Sequence, residues 1–157
     1  MNIIDEIGIL AISTRLQRLS EQLRKDGALI YKKFDIDFEP KWFPVIYTLH
    51  IKKMLSVVEI ANEIGYSHPS TISLLKELEK QKIISSKKDK LDERKRLIVL
   101  TAKGQELVLK MQPVWSIMTN ALTEICNNQN NLLKAIEEAE QTIAKQGFYQ
   151  RVLDLNN

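Results

Sequence analysis

Apolar residues at Ile9, Ile12, Leu16, Leu19 and Leu23 recur every three or four positions, the spacing that gathers them on one face of a helix. The pattern predicts a helix from about Ile4 to Lys33, with Gly27 a weak point inside it. Phe38-Glu39-Pro40-Lys41-Trp42-Phe43-Pro44 interrupts that pattern and starts a second helix reaching about Lys52. Proline suits a first helical turn, where its missing N–H would have no partner anyway. Ser56-Val57-Val58-Glu59 reads as a capping box, after which a short helix carries Ile60, Ala61 and Ile64 and stops at Gly65. Ser67 is placed to cap a further helix with Pro69 in its first turn and Thr71, Leu74, Leu75 and Leu78 facing inward. The periodicity then changes. Ile83–Lys87 and Arg96–Leu100 are short, β-branched runs flanking the charged turn Lys88–Lys95, the signature of a hairpin. Thr101 opens a long helix with Leu107, Met111, Val114, Met118, Leu122 and Ile125 on one stripe and Pro113 as a kink point. The polar run Asn127–Asn131 marks a loop before a last helix carrying Leu132, Leu133, Ile136, Ala139 and Ile143.

Two short helices joined by a glycine turn form a helix-turn-helix pattern, and a hairpin directly after the second helix is a wing. The fold class predicted is mainly α with a small β-hairpin: a winged helix-turn-helix with further helices at both ends. Five Gly and four Pro leave little room for the tight turns of an all-β fold. Charge is distributed unevenly. Tyr66 to Lys103 holds ten Lys and Arg against five acids, +5, whereas the whole chain carries only +3 and the remainder therefore −2. Such a run is either a solvated face or the electrostatic footprint of a polyanion.

Asp92-Glu93-Arg94-Lys95-Arg96-Leu97-Ile98-Val99-Leu100-Thr101-Ala102-Lys103-Gly104 resembles the wing signature of the MarR family of bacterial regulators: Asp-x-Arg, an apolar strand, then Leu-Thr-x-x-Gly. Helix order and lengths are similar over nearly the whole chain. Ile7–Ser20, Asp37–Pro44 and Ser67-His68-Pro69 resemble a subgroup whose members sometimes carry a C-terminal acetyltransferase domain; with the sequence ending at Asn157, none is expected here. Lys82 departs from the family, which usually has Gly between the recognition helix and the wing strand. The resemblance implies one domain over 1–157, with about 38–103 as the DNA-binding part and about 1–37 and 104–157 as helices that interlock across a two-fold axis into a homodimer.

A helix fits the major groove and presents its outer face to base edges. Ser67, His68, Pro69, Ser70, Ile72, Ser73 and Lys76 are the expected DNA-facing set of the second helix. For Ile72 two readings stand: it presses on thymine methyls, or it is core and Leu74 or Leu75 is only partly buried. On the wing, Lys87, Lys88, Lys95 and Arg96 join Arg94, whose guanidinium suits a narrow minor groove. By the family analogy, Asp92 orients Arg94 or braces Arg96. Trp42, Phe43, Tyr47 and Trp115 either line a pocket for the small aromatic or lipophilic effectors that the family often binds, or are core aromatics.

No Gly-rich phosphate loop is present, and His50, His68 and Cys126 lack metal-ligand spacing, so no enzyme activity, cofactor or metal is expected. The lone Cys126 cannot form an internal disulfide and has no strongly basic neighbour in sequence; an inert thiol in a reducing cytoplasm is expected. No apolar run approaches membrane-spanning length. Together these features predict a cytoplasmic, sequence-specific DNA-binding regulator, a repressor on a pseudo-palindromic double-stranded operator, released by a small effector. The rival reading is a winged module that binds another protein and has no DNA site of its own.

Overall fold

The opening helix is broken near its start. In the computed structural model, which describes residues 1–157, α1 spans only Ile3–Glu6, a 3₁₀ turn covers Gly8–Ala11, and α2 runs from Ile12 to Lys33. The break falls at Gly8, whose φ of +78° a continuous right-handed α-helix does not accommodate. Ile9, Ile12 and Leu16 are exposed, so the predicted stripe does not meet this chain's core over its first half. Gly27 is no weak point. Helix α2 passes straight through it, and the missing side chain admits Pro40, whose Cγ would lie 3.2 Å from an added Cβ.

The chain forms two units, Met1–Val114 and Trp115–Asn157. In the first, a 3₁₀ turn at Pro40–Trp42 leads into α3 (Phe43–Lys52), followed by β1 (Met54–Ser56), α4 (Val57–Ile64), α5 (His68–Lys80), β2 (Ile84–Lys88), β3 (Arg96–Leu100) and the first half of α6 (Ala102–Cys126). Its core joins Tyr31, Phe38, Val45, Ile46, Leu49, Ile60, Leu78, Val108 and Met111, all buried. The hairpin pairs Ile84 with Leu100 through Lys88 with Arg96. A strand the sequence did not announce, β1, adds to the other edge of β3 with Met54 opposite Val99, giving a three-stranded sheet in the order β1-β3-β2. Ser56 then does double duty, pairing with Leu97 and capping α4.

The second unit holds the rest of α6, then α7 (Leu132–Lys145) and α8 (Phe148–Leu155). Asn131 caps α7, accepting from the Lys134 N–H. Helix α8 is separate from α7, and the sequence pattern did not anticipate it. The Arg151 side chain binds the carbonyls of Gln146 and Thr142 and ties the two together. Leu133, Ile136, Ile143, Phe148, Tyr149 and Val152 are exposed. No helix is long and apolar enough to cross a membrane.

The connection from α5 into the sheet is the tightest place in the fold. Lys82 takes a φ of +60° to turn the chain, and a Cβ at Gly104 would collide with the Ile83 carbonyl oxygen. Gly104→Ala should therefore cost about 1–3 kcal/mol, as overpacking usually does. Lys82→Gly should gain about 1 kcal/mol, because glycine has no side chain to strain in the left-handed region. Urea denaturation of both variants checks the pair; a neutral Gly104→Ala would show that β2 and α6 separate easily.

Candidate nucleic-acid interface

Helix α5 begins with a closed set of hydroxyl bonds. The Ser67 Oγ accepts from the Ser70 N–H at 3.3 Å and donates to the Ser70 Oγ at 2.9 Å, while the Thr71 hydroxyl donates to the Ser67 carbonyl. Ser67 is thus committed to the cap, whereas Ser70 keeps its own proton to donate. Thr71, Leu75 and Leu78 are buried at i, i+4 and i+7 and fix which side faces the core. His68, Pro69, Ser70, Ser73 and Lys76 lie exposed on the other side. Ile72 and Leu74 are half-buried on the two flanks. This corrects the sequence expectation: Leu74 does not belong with the inward set, and Ile72 is neither fully outward nor core.

The wing loop is built by its acids. Asp89 accepts from the Leu91 N–H at 2.9 Å, and Asp92 accepts from the Arg94 N–H at 3.0 Å. Asp92 therefore positions Arg94 through the main chain rather than by an ion pair. Arg96 is braced by the Ser86 hydroxyl at 3.2 Å, with no ion pair to Asp92. Ser86 was not among the expected residues, because two side chains ten positions apart meet only once the hairpin register is set. Lys95 lies 3.8 Å from Glu59 of α4, so part of its charge is already answered. Lys76, Lys87, Lys88, Lys90 and Arg94 make no ion pair and are exposed.

Beside α5 lies an open groove of about 340 Å³ lined by Arg24, Lys41, Tyr66, Ser70, Ser73, Leu74 and Glu77. Arg24 donates to the Tyr66 hydroxyl at 3.2 Å. Glu77 accepts from the Trp42 indole N–H at 2.6 Å and from Lys41 at 2.9 Å. The indole bond and then Lys41 hold the Glu77 carboxyl below the usual glutamate range, and Glu77 with Glu39 raises Lys41. Trp42 is buried, packed edge-on against Phe38. Phe43 and Tyr47 stack on each other at 5.3 Å on the exposed side of α3. Trp115 belongs to the second unit, as does the half-buried Cys126. No three of His, Cys, Asp and Glu gather as a metal site.

No family model matches the chain, and no curated protein does. Its fold does match solved structures. The Mycobacterium tuberculosis transcriptional regulator MosR in complex with DNA superposes at a TM-score of 0.72 with 17% identity, over 85% of this chain and 96% of that one. A mutant of Escherichia coli MarR complexed with operator DNA gives 0.67 and 16%, over 91% and 99%. Bordetella bronchiseptica BpsR, whose DNA binding is regulated by 6-hydroxynicotinic acid, gives 0.59 and 18%, over 82% and 98%. The chain has the winged helix-turn-helix fold of MarR-type regulators.

The Glu59 carboxyl is lowered chiefly by the Ser56 backbone N–H, then by its hydroxyl. A carboxyl whose native pKa is depressed contributes stability that is complete above its unfolded value and lost as pH falls through the native one. Wild-type melting temperature should drop more steeply than that of Glu59→Gln below about pH 5. Parallel curves would show that the capping carboxylate contributes nothing through its charge.

Proposed function

We propose that this protein is a MarR-type transcriptional regulator that binds double-stranded operator DNA as a homodimer and represses until a small effector releases it. The observation that carries the reading is the outer face of α5. Pro69, Ser70, Ser73 and Lys76 are exposed there, beside a wing whose Lys87, Lys88 and Arg94 have no carboxylate partner. Solvation alone does not call for small hydroxyl residues on a capped helix next to a cationic loop braced by its own acids; base and phosphate contact does. The DNA complexes of MosR and MarR, which share the fold, support the same reading. In it, Ser70, Ser73 and the exposed part of Ile72 read base edges and His68 and Pro69 border them. Lys76, Lys87 and Lys88 take phosphates, and Arg94 enters the minor groove.

The homodimer rests on apolar surface. Ile3, Ile9, Leu10, Phe148, Tyr149 and Leu155 are largely exposed, more than a monomeric protein usually leaves in water. A second copy covering the terminal helices of the first gives the two-fold symmetry that a pseudo-palindromic operator requires.

Effector release rests on the groove beside α5. Its volume suits a small molecule, and Arg24 and Lys41 at its wall match the carboxylate of an aromatic acid. Trp42 is linked to it through Glu77. None of Trp42, Phe43, Tyr47 and Trp115, the aromatic set expected from the sequence, is among its lining residues.

Fluorescence anisotropy at several salt concentrations tests the DNA assignments. Lys87→Ala or Lys76→Ala should weaken binding to all duplexes alike and lower the salt slope by about one unit. Ser73→Ala and Ile72→Ala should leave the slope alone and change base preference, costing about 1–3 kcal/mol at the contacted pair. Arg94→Ala should do both. If Arg94→Ala matches wild type on every duplex, the wing makes no contact. Light scattering should give twice the chain mass; a stable monomer at micromolar concentration refutes the dimer.

A further inference from the structure

Reading bases requires that α5 keep a fixed rotation as well as a free face. Apart from Thr71, whose hydroxyl bonds back to the Ser67 cap of the same helix, the residues it buries are apolar, while its bonds to Ile83 and Ser86 lie at its last turn. Leu75 and Leu78 are buried, but such packing is non-directional and tolerates a small roll or slide. Glu77 is different. It lines the groove with Ser70 and Ser73, contributes nothing to the core, and places a negative charge beside a surface meant for phosphates. That charge needs a reason.

Its carboxylate takes two directional bonds from one short segment, Trp42 Nε1–H at 2.6 Å and Lys41 Nζ at 2.9 Å. The indole is not free to follow it. Trp42 is 5% exposed, its ring stands edge-on to Phe38 with centroids 5.7 Å apart, and Phe38 meets Tyr31 in the same way at 5.0 Å. The donor is therefore fixed in the core while the acceptor rides on α5. A shift of α5 by one residue would move the carboxylate about 1.5 Å along the axis and turn it about 100°, whereas a hydrogen bond tolerates only a few tenths of an ångström. Charge assistance makes the bond stronger than a neutral one.

We propose that Glu77 is a positioning residue that pins the rotation of α5 to the aromatic core through Trp42, with Lys41 answering its charge, and so sets how sharply the helix distinguishes operator from other DNA. This rests on the DNA-binding reading above.

The test compares Glu77→Ala, Glu77→Gln and Trp42→Phe in the full chain. The probes are a duplex selected by the wild type from a random-sequence pool and a scrambled version of it. Glu77→Ala should lose about tenfold in affinity for the selected duplex while binding the scrambled one as well as before or better, since an acid has gone. Glu77→Gln keeps an oxygen for the indole and should stay near wild type. Lys41 retains Glu39 at 3.2 Å in every variant, so no cation is newly stranded. Trp42→Phe should behave as Glu77→Ala does, and the Trp42→Phe/Glu77→Ala double variant should be no worse than either single one, as expected for two residues acting through one bond.

A readout independent of DNA is the Trp42 indole N–H resonance, identified by its loss in Trp42→Phe. It should move strongly upfield in Glu77→Ala and only partly in Glu77→Gln. An unmoved resonance, equal losses on both duplexes or additive single effects would overturn the proposal. A wild type that prefers no duplex while its indole resonance still responds overturns the DNA-binding reading and leaves the anchor standing, so the two fail separately.

Discussion

The carbonyl of Ile83 is the point on which the arrangement of the winged helix-turn-helix depends. It accepts from the Thr101 N–H at 3.0 Å and from the Thr101 hydroxyl at 3.1 Å, and the same hydroxyl reaches the Lys82 carbonyl at 2.6 Å. Thr101 Oγ1 also accepts from the Gly104 N–H, capping α6. Just before, the Ile83 N–H bonds back to the Leu78 carbonyl in the last turn of α5. One residue thus joins the end of α5, the start of β2, the end of β3 and the start of α6. The wing cannot move far without α5. A side chain at position 104 would push this junction apart, which is the physical content of the Leu-Thr-x-x-Gly pattern. Lys82 shows that the preceding turn can be made without glycine, at the cost of a left-handed backbone on a bulky residue.

The features that were legible in the sequence are those whose cause lies within a few residues. The Ser56–Glu59 box, the Ser67 cap and the hairpin from Ile84 to Leu100 each follow from local spacing, and each is present. What escaped has non-local causes. Strand β1 is three residues long, too short for any period, and exists because β3 offers an open edge. Gly27 looked like a defect until Pro40, thirteen positions on, came to rest against it. Ile72 and Leu74 sit two apart on a helix, and hydrophobicity alone could not show that both lie on its flanks; the buried face includes the polar Thr71, whose hydroxyl bonds back to Ser67. The Trp42–Glu77 bond joins residues 35 positions apart and left no trace in spacing.

Charge counting needs the same correction. The stretch from Tyr66 to Lys103 carries five more positive than negative residues, yet its acids are not spread at random among the cations. Asp89 and Asp92 are turned onto main-chain N–H groups of the wing loop, while Lys95 leans on Glu59 and Arg96 on Ser86. The cations nearest the loop tip remain unpaired. Acids that stiffen a loop through its backbone leave the cations beside them free to meet phosphate, and a stiff loop loses less entropy on binding. The acids of the wing therefore brace its loop while the cations beside them carry the local excess.

The groove and the outer face of α5 proposed to read bases share Ser70 and Ser73, and this bears on how a ligand and an operator would interact. A ligand shifts an equilibrium only by its difference in affinity between two states. A route through distant helices needs each intermediate contact to have two arrangements. An acid bound between Arg24 and Lys41 needs none of that. It would meet the serines proposed to contact base edges, and it would compete with Glu77 for Lys41, which already divides itself between Glu77 at 2.9 Å and Glu39 at 3.2 Å. Lys41 turning wholly to a ligand would leave Glu77 held by the indole alone. In the proposed arrangement an acid in the groove would weaken operator preference by occupying those serines, so the coupling requires no relay through distant helices.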